Sequence, residues 1–164
     1  MGIKTIFIIP AFIMFCGCDS QTAKIHQLQD RIDSLQDRLN STYKPGLGEF
    51  MQGIQLHHAK LWYAGTNQNW RLADFEVHEI GETLGDIKQY CKDRSEVKSI
   101  GTVDPAISSI NTAIKQKDIQ LFKKGFAGLT DACNTCHKNT GHEFNVIIIP
   151  SSLPVTNQDF KPEK

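Results

Sequence analysis

Phe122, Phe126, Leu129, Cys133 and Cys136 recur at intervals of 4, 3, 4 and 3 residues near the end of the chain. Side chains three and four apart share one side of a helix, so this spacing predicts a helix whose core-facing stripe runs from two phenylalanines into two cysteines. His137 comes next, four residues after Cys133 and on the same side. Whatever this chain folds into must accept Cys133, Cys136 and His137 at an interior surface. Two cysteines separated by two residues and followed at once by histidine form the attachment pattern of a c-type haem. The thiols of such a pattern make thioether bonds to the haem vinyl groups, and the imidazole binds iron from the proximal side.

The same periodicity recurs upstream. Leu47 to Ala64 reads as a first helix with Met51, Ile54, His58 and Leu61 on one face, closed by Gly65 and a turn at Thr66-Asn67. Asn69 can cap a second helix, Trp70 to Cys91, whose seam is Ala73, Val77, Ile80, Leu84, Ile87 and Cys91. Gly81 and Gly85 interrupt it at a cost of about 1 kcal/mol each relative to Ala, which would be offset if a neighbour or a haem approached there. Asp104-Pro105 opens a third helix, with Asp as cap, bearing Ile107, Ile110 and Ile114. Asp118 caps the fourth, which ends at Gly141. Four helices joined by short loops predict an all-α, antiparallel up-down four-helix bundle over residues 47–141.

The rest of the chain reads as equipment around that domain. Met1 to Lys4, the apolar run Thr5 to Phe15 and the small Gly17 form the n-region, h-region and cleavage site of a secretory signal over residues 1–17. The run is shorter than the ~20 apolar residues of a membrane span. Phe15-Cys16-Gly17-Cys18 resembles a bacterial lipobox, which implies cleavage before Cys18 and a lipid on its thiol; an ordinary signal peptide cut nearby is the other reading. Export suits covalent haem, because a cytoplasmic Cys-x-x-Cys is more commonly a zinc or redox site. Of the five cysteines, only Cys91 is then unassigned, and it reads as a small buried hydrophobe.

Within residues 18–46, Ile25, Leu28, Ile32, Leu35 and Leu39 follow the a/d spacing of a coiled coil, inside the repeat LQDRIDS-LQDRLNS. A stalk of two or three chains, making the protein a homo-oligomer, and a solitary spacer helix both fit. Pro45-Gly46 then breaks the pattern. Beyond the bundle, residues 142–164 carry Val146 to Pro150, too apolar to trail in water. They read as an extended arm lying back on the helices, with Gln158 to Lys164 as a loose end.

A haem motif late in the last of four short-looped helices resembles the class II cytochromes c, the cytochrome c′ group and its low-spin relatives, over roughly residues 47–141. Class I cytochromes carry the motif near the start and a methionine well downstream; about 27 residues follow His137 here, without any Met. The chain departs from the cytochrome c′ pattern in having Gly141 and His142 where a basic residue usually follows the ligand histidine. The resemblance implies haem c held by Cys133, Cys136 and His137, and electron transfer with a redox partner protein. It also places the thioether ligand of the low-spin relatives near Met51, the one methionine left after signal removal. His58 is the alternative sixth ligand, and an open site would imply gas binding or haem sensing. His142 fits either a role near the iron ligand or a solvated position.

Other chemistries fit poorly. A di-iron bundle needs Glu-x-x-His pairs, and none of Glu76, Glu79 and Glu82 is followed three residues on by His. Zinc on Cys133, Cys136 and His137 suits tetrahedral geometry badly because Cys136 and His137 are neighbours. No nucleophile–base pair suggests an enzyme. A haem-free structural lipoprotein is the reading from another class. Lys plus Arg and Asp plus Glu stand at 18 each, and zero net charge argues against nucleic acid. The acidic second helix and the basic third and fourth read either as complementary solvated faces or as a basic rim for an acidic redox partner. The expected location is the bacterial periplasm or cell envelope, on a membrane.

Overall fold

A computed structural model of the protein describes residues 18–43 and 45–163. The signal sequence and Cys16 lie outside the described residues. Those residues are helical or irregular, with no strand among them. No described helix is long and apolar enough to cross a membrane. The chain divides between Tyr43 and Lys44 into two units.

Among the described residues, the first unit holds one helix, α1 (Cys18–Ser41). Its five a/d residues, Ile25 to Leu39, are all exposed.

The second unit is built on α2 (Leu47–Thr66) and α3 (Trp70–Tyr90), joined by a three-residue turn. The Glu49 carboxylate accepts from the Gly46 amide at 3.0 Å at the start of α2, where negative charge suits the helix dipole. Asn69 caps α3 as its sequence suggests, its side-chain oxygen accepting from the Leu72 amide at 3.2 Å. Every residue of the α3 seam is buried, through to Cys91. Gly81 and Gly85 are exposed, and a Cβ added at either would meet no atom within 4 Å. No close approach there explains them.

After α3 comes α4, a single turn (Val97–Ile100), and then a 3-10 turn (Gly101–Val103) that buries Ile100 and Val103. This turn runs directly into α5 (Asp104–Gln116), so Val103 rather than Asp104 takes the cap position and Asp104 falls in the first helical turn. Lys117 reverses the chain with a φ of 54°. Asp118 then caps α6 (Ile119–Asn139), its carboxylate accepting from the Gln120 and Leu121 amides at 2.8 and 3.0 Å.

Helix α2 packs on α3, α3 on α5, α5 on α6 and α6 on α2. The two phenylalanines and Leu129 of the α6 stripe lie at the centre, essentially inaccessible to water. Gly125 lets α6 come close to α5: a Cβ there would meet the Ile110 Cα at 3.3 Å.

Residues 142–163 form neither helix nor strand. The arm does return to the helices, but of its apolar run only Ile147 and Pro150 are partly buried. Phe144, Val146 and Ile148 stay exposed, while Phe160 is buried and sits 5.7 Å from the Tyr63 ring, centroid to centroid. The Lys161 carbonyl accepts from the Asn69 side chain at 3.0 Å. The stretch expected to be a loose end is thus the part with a buried aromatic anchor.

Candidate functional site

One cavity of about 370 Å³ brings the sequence-derived candidates together. The start of α2 contributes Met51, Ile54 and His58, and the end of α6 contributes Cys133, Cys136 and His137. Ile80 and Leu84 of α3, with Ile100 and Val103, supply apolar wall, and Asn145 and Ile147 of the arm close one side. The volume lies within the range of about 300–1,000 Å³ usual for cofactor and ligand sites. Cys18 opens α1 in the first unit.

The ring of His137 has a fixed tautomer. Its Nδ1 is 2.6 Å from the Asn145 carbonyl oxygen, and a carbonyl only accepts, so Nδ1 carries the proton and donates it. In the neutral ring Nε2 then keeps the lone pair, and His137 is one of the residues lining the cavity. Metal-bound histidines are held in this way, their second ring nitrogen donating to a carbonyl or carboxylate. Asn134, between the two cysteines, fixes the segment that provides this carbonyl. Its amide nitrogen donates to the Ile147 carbonyl and its oxygen accepts from the Ile147 amide, both at 2.8 Å. His142 extends the same clamp, its backbone amide donating to the His137 carbonyl at 2.8 Å.

His58 is differently committed. It is buried, with Nε2 2.9 Å from the Thr130 hydroxyl. That hydroxyl donates its one proton to the Phe126 carbonyl at 3.0 Å, so it accepts from His58, whose Nε2 therefore carries hydrogen. Burial pushes the His58 pKa down to about 4, keeping the ring neutral. With Nε2 used as a donor, His58 offers the cavity no lone pair there. Met51 is half-buried against the core, with no hydrogen bond to its sulfur among the described residues.

The two cysteines are free thiols. Burial, with Cys136 close by, pushes Cys133 up to about 11; burial and then the charge of Glu96 raise Cys136. Catalytic Cys-x-x-Cys pairs work the other way, by stabilising a thiolate. Among the described residues no group of three or more His, Cys, Asp or Glu side chains is placed to hold a metal ion.

Glu96 is the acid of the site. Its carboxylate lies 2.6 Å from the Arg94 guanidinium and 4.0 Å from His142 Nε2. Its own backbone amide, then Arg94, hold its pKa below the usual carboxylate value.

No protein family, curated protein or solved structure matches this chain.

Sequence reading had singled out Met51, His58, Cys133, Cys136 and His137, and all five line the cavity. It missed Asn134, Asn145, Thr130, Arg94 and Glu96. The Asn134 signal was available in principle, since a polar residue inside the motif invites a partner. The Asn145 contribution is a backbone carbonyl and leaves no mark on residue type.

Proposed function

We propose that the protein is a monohaem c-type cytochrome of the class II kind: an antiparallel up-down four-helix bundle, exported and tethered to a membrane by a lipid on Cys18, that carries electrons to a redox partner protein. The observation that carries this reading is the His137 ring, fastened through Nδ1 so that Nε2 keeps the lone pair of the neutral ring, on a residue that lines the same cavity as Cys133 and Cys136. The residues fit the group in three respects. Two neutral thiols sit on the motif helix, a ligand nitrogen of the right tautomer lies beside them, and the facing wall is mostly apolar with one thioether.

Cys133 and Cys136 would hold haem c covalently as thioethers, and His137 would bind its iron. The bound group supplies a one-electron couple. The chain's own residues set its surroundings. Asn134 and Asn145 fix the His137 ring and strengthen its donor nitrogen. Ile54, Ile80 and Leu84 give the cavity apolar wall, and Met51 would supply the iron a thioether, a ligand that raises the reduction potential and suits electron transfer. Thr130 engages Nε2 of His58 as a donor, which leaves that ring only its Nδ1 as a ligand atom. No site for a reacting substrate enters this reading, which is not that of an enzyme. Balanced charge supports no nucleic-acid role, and the predicted signal supports the periplasm or cell envelope.

The test is expression of the full chain with a bacterial haem-attachment machinery, followed by a pyridine haemochrome spectrum. A covalent c-type spectrum, lost when both cysteines become serine, is expected; its absence in the parent ends the cytochrome reading. Met51→Ala should then convert a low-spin absorption spectrum to a high-spin one. A low-spin spectrum unchanged by that substitution would transfer the sixth position to His58, and a high-spin parent would favour gas binding.

A further inference from the structure

The first unit carries an apolar stripe that nothing in it covers. Ile25, Leu28, Ile32, Leu35 and Leu39 are between 55% and 63% exposed, on a helix whose other residues, apart from Cys18 and Ala23, are polar or charged. Their order is specific: Ile25, Ile32 and Leu39 take heptad position a, and Leu28 and Leu35 take position d. Isoleucine at a with leucine at d is the arrangement that favours two parallel strands over three or four.

The flanks give the direction. Lys24, Arg31 and Arg38 occupy all three g positions beside the stripe, whereas Gln29 and Gln36 occupy the e positions. In an antiparallel pair of identical helices, g faces g, so two basic rows would oppose each other. In a parallel pair each g residue faces the e residue five positions on in the other helix. Lys24 then meets Gln29 of the second copy, and Arg31 meets its Gln36, pairs that bear no like-charge repulsion and can hydrogen-bond. A membrane surface suits the stripe less well, because it is narrow, lacks aromatic residues and is backed by an outer face that carries Asp30, Asp33 and Asp37.

We propose that α1 pairs with α1 of a second copy of this chain as a parallel, in-register two-stranded coiled coil. The pairing stands whether or not the second unit binds haem. It needs both copies to begin from the same side, which a shared anchoring surface at the N-terminus provides.

Single cysteines in the full chain test it. Leu28→Cys and Leu35→Cys each place a thiol at a d position, where parallel, in-register helices bring equivalent residues together. Asp30→Cys places one at position f, on the outside. With mild oxidant, the Leu28→Cys and Leu35→Cys chains should each run mostly at twice the monomer mass on a non-reducing gel, and the Asp30→Cys chain and the parent should not. Adding Ile32→Lys should reduce both crosslinks at least tenfold. Crosslinking at only one d position, or at neither, overturns the parallel pairing, as does equal crosslinking at Asp30→Cys. Sedimentation of the parent in density-matched detergent should give two copies, and three would overturn the two-stranded state.

Discussion

Glu76 is fully buried between two helices and keeps one oxygen unpartnered among the described residues. Its other oxygen is 2.7 Å from His57 Nδ1, which donates to it. A buried carboxylate with a single donor depends on that donor, because taking it away leaves the desolvation cost unopposed. His57→Ala should therefore destabilise the haem-free chain by about 3 kcal/mol in urea unfolding. The double change His57→Leu with Glu76→Met should fall within about 1 kcal/mol of the parent, since replacing a buried polar pair by packed apolar groups is often neutral. A single substitution with no effect would show that water already satisfies Glu76. Sequence reading gave neither residue a role. Glu76 sits beside the seam residue Val77, and a helical period marks which face is buried without saying that an acid on its edge is buried too.

At the scale of elements, the chain was legible wherever burial repeats every three or four residues. The α3 seam, the Asn69 and Asp118 caps and the α6 stripe all appear where spacing put them, because each is fixed within one or two helical turns. Contacts closed over long separations were not legible. Phe160 stands alone in the polar stretch Asn157 to Lys161, so nothing periodic announces that it packs on Tyr63. The turns at residues 97–103, which bury Ile100 and Val103, are too short to show a period. Gly81 and Gly85 show a different limit. Spacing suggested a close approach, but open space surrounds both. With no packing reason for glycine, each should be replaceable by alanine with a gain of roughly 0.5–1 kcal/mol from reduced backbone entropy in the unfolded chain and better helix propensity. Thermal melts of Gly81→Ala and Gly85→Ala should shift upward, and a loss at either position would reveal a neighbour that the folded second unit alone does not present.

For the molecule as a whole, its titrating groups divide the pH scale into three regions in the haem-free state. His58 ionises near 6.5 when unfolded and near 4 when folded. The unfolded chain therefore binds more protons between these values, and stability falls as pH drops through that window. The difference amounts to about 3 kcal/mol by pH 4, at 1.36 kcal/mol per unit. Glu96, held low by its own amide and Arg94, acts in the same direction further down: its contribution is complete above the ordinary carboxylate value and is lost as pH falls below it. Cys133 has the opposite sense. Its thiol ionises near 9 when unfolded and near 11 when folded, so its contribution is complete below 9 and is lost as pH rises toward 11. Urea midpoints of the haem-free chain should thus be highest between about pH 6.5 and 9 and decline on both sides. His58→Gln should flatten the acid side above pH 4.5, and Cys133→Ser should flatten the alkaline side. The proposed haem attachment would convert the thiols to thioethers, which do not titrate, so protein loaded with haem in that way should lose the cysteine part of the alkaline decline. A haem-loaded sample whose alkaline decline matched the haem-free chain would show that Cys133 is not among the attachment residues.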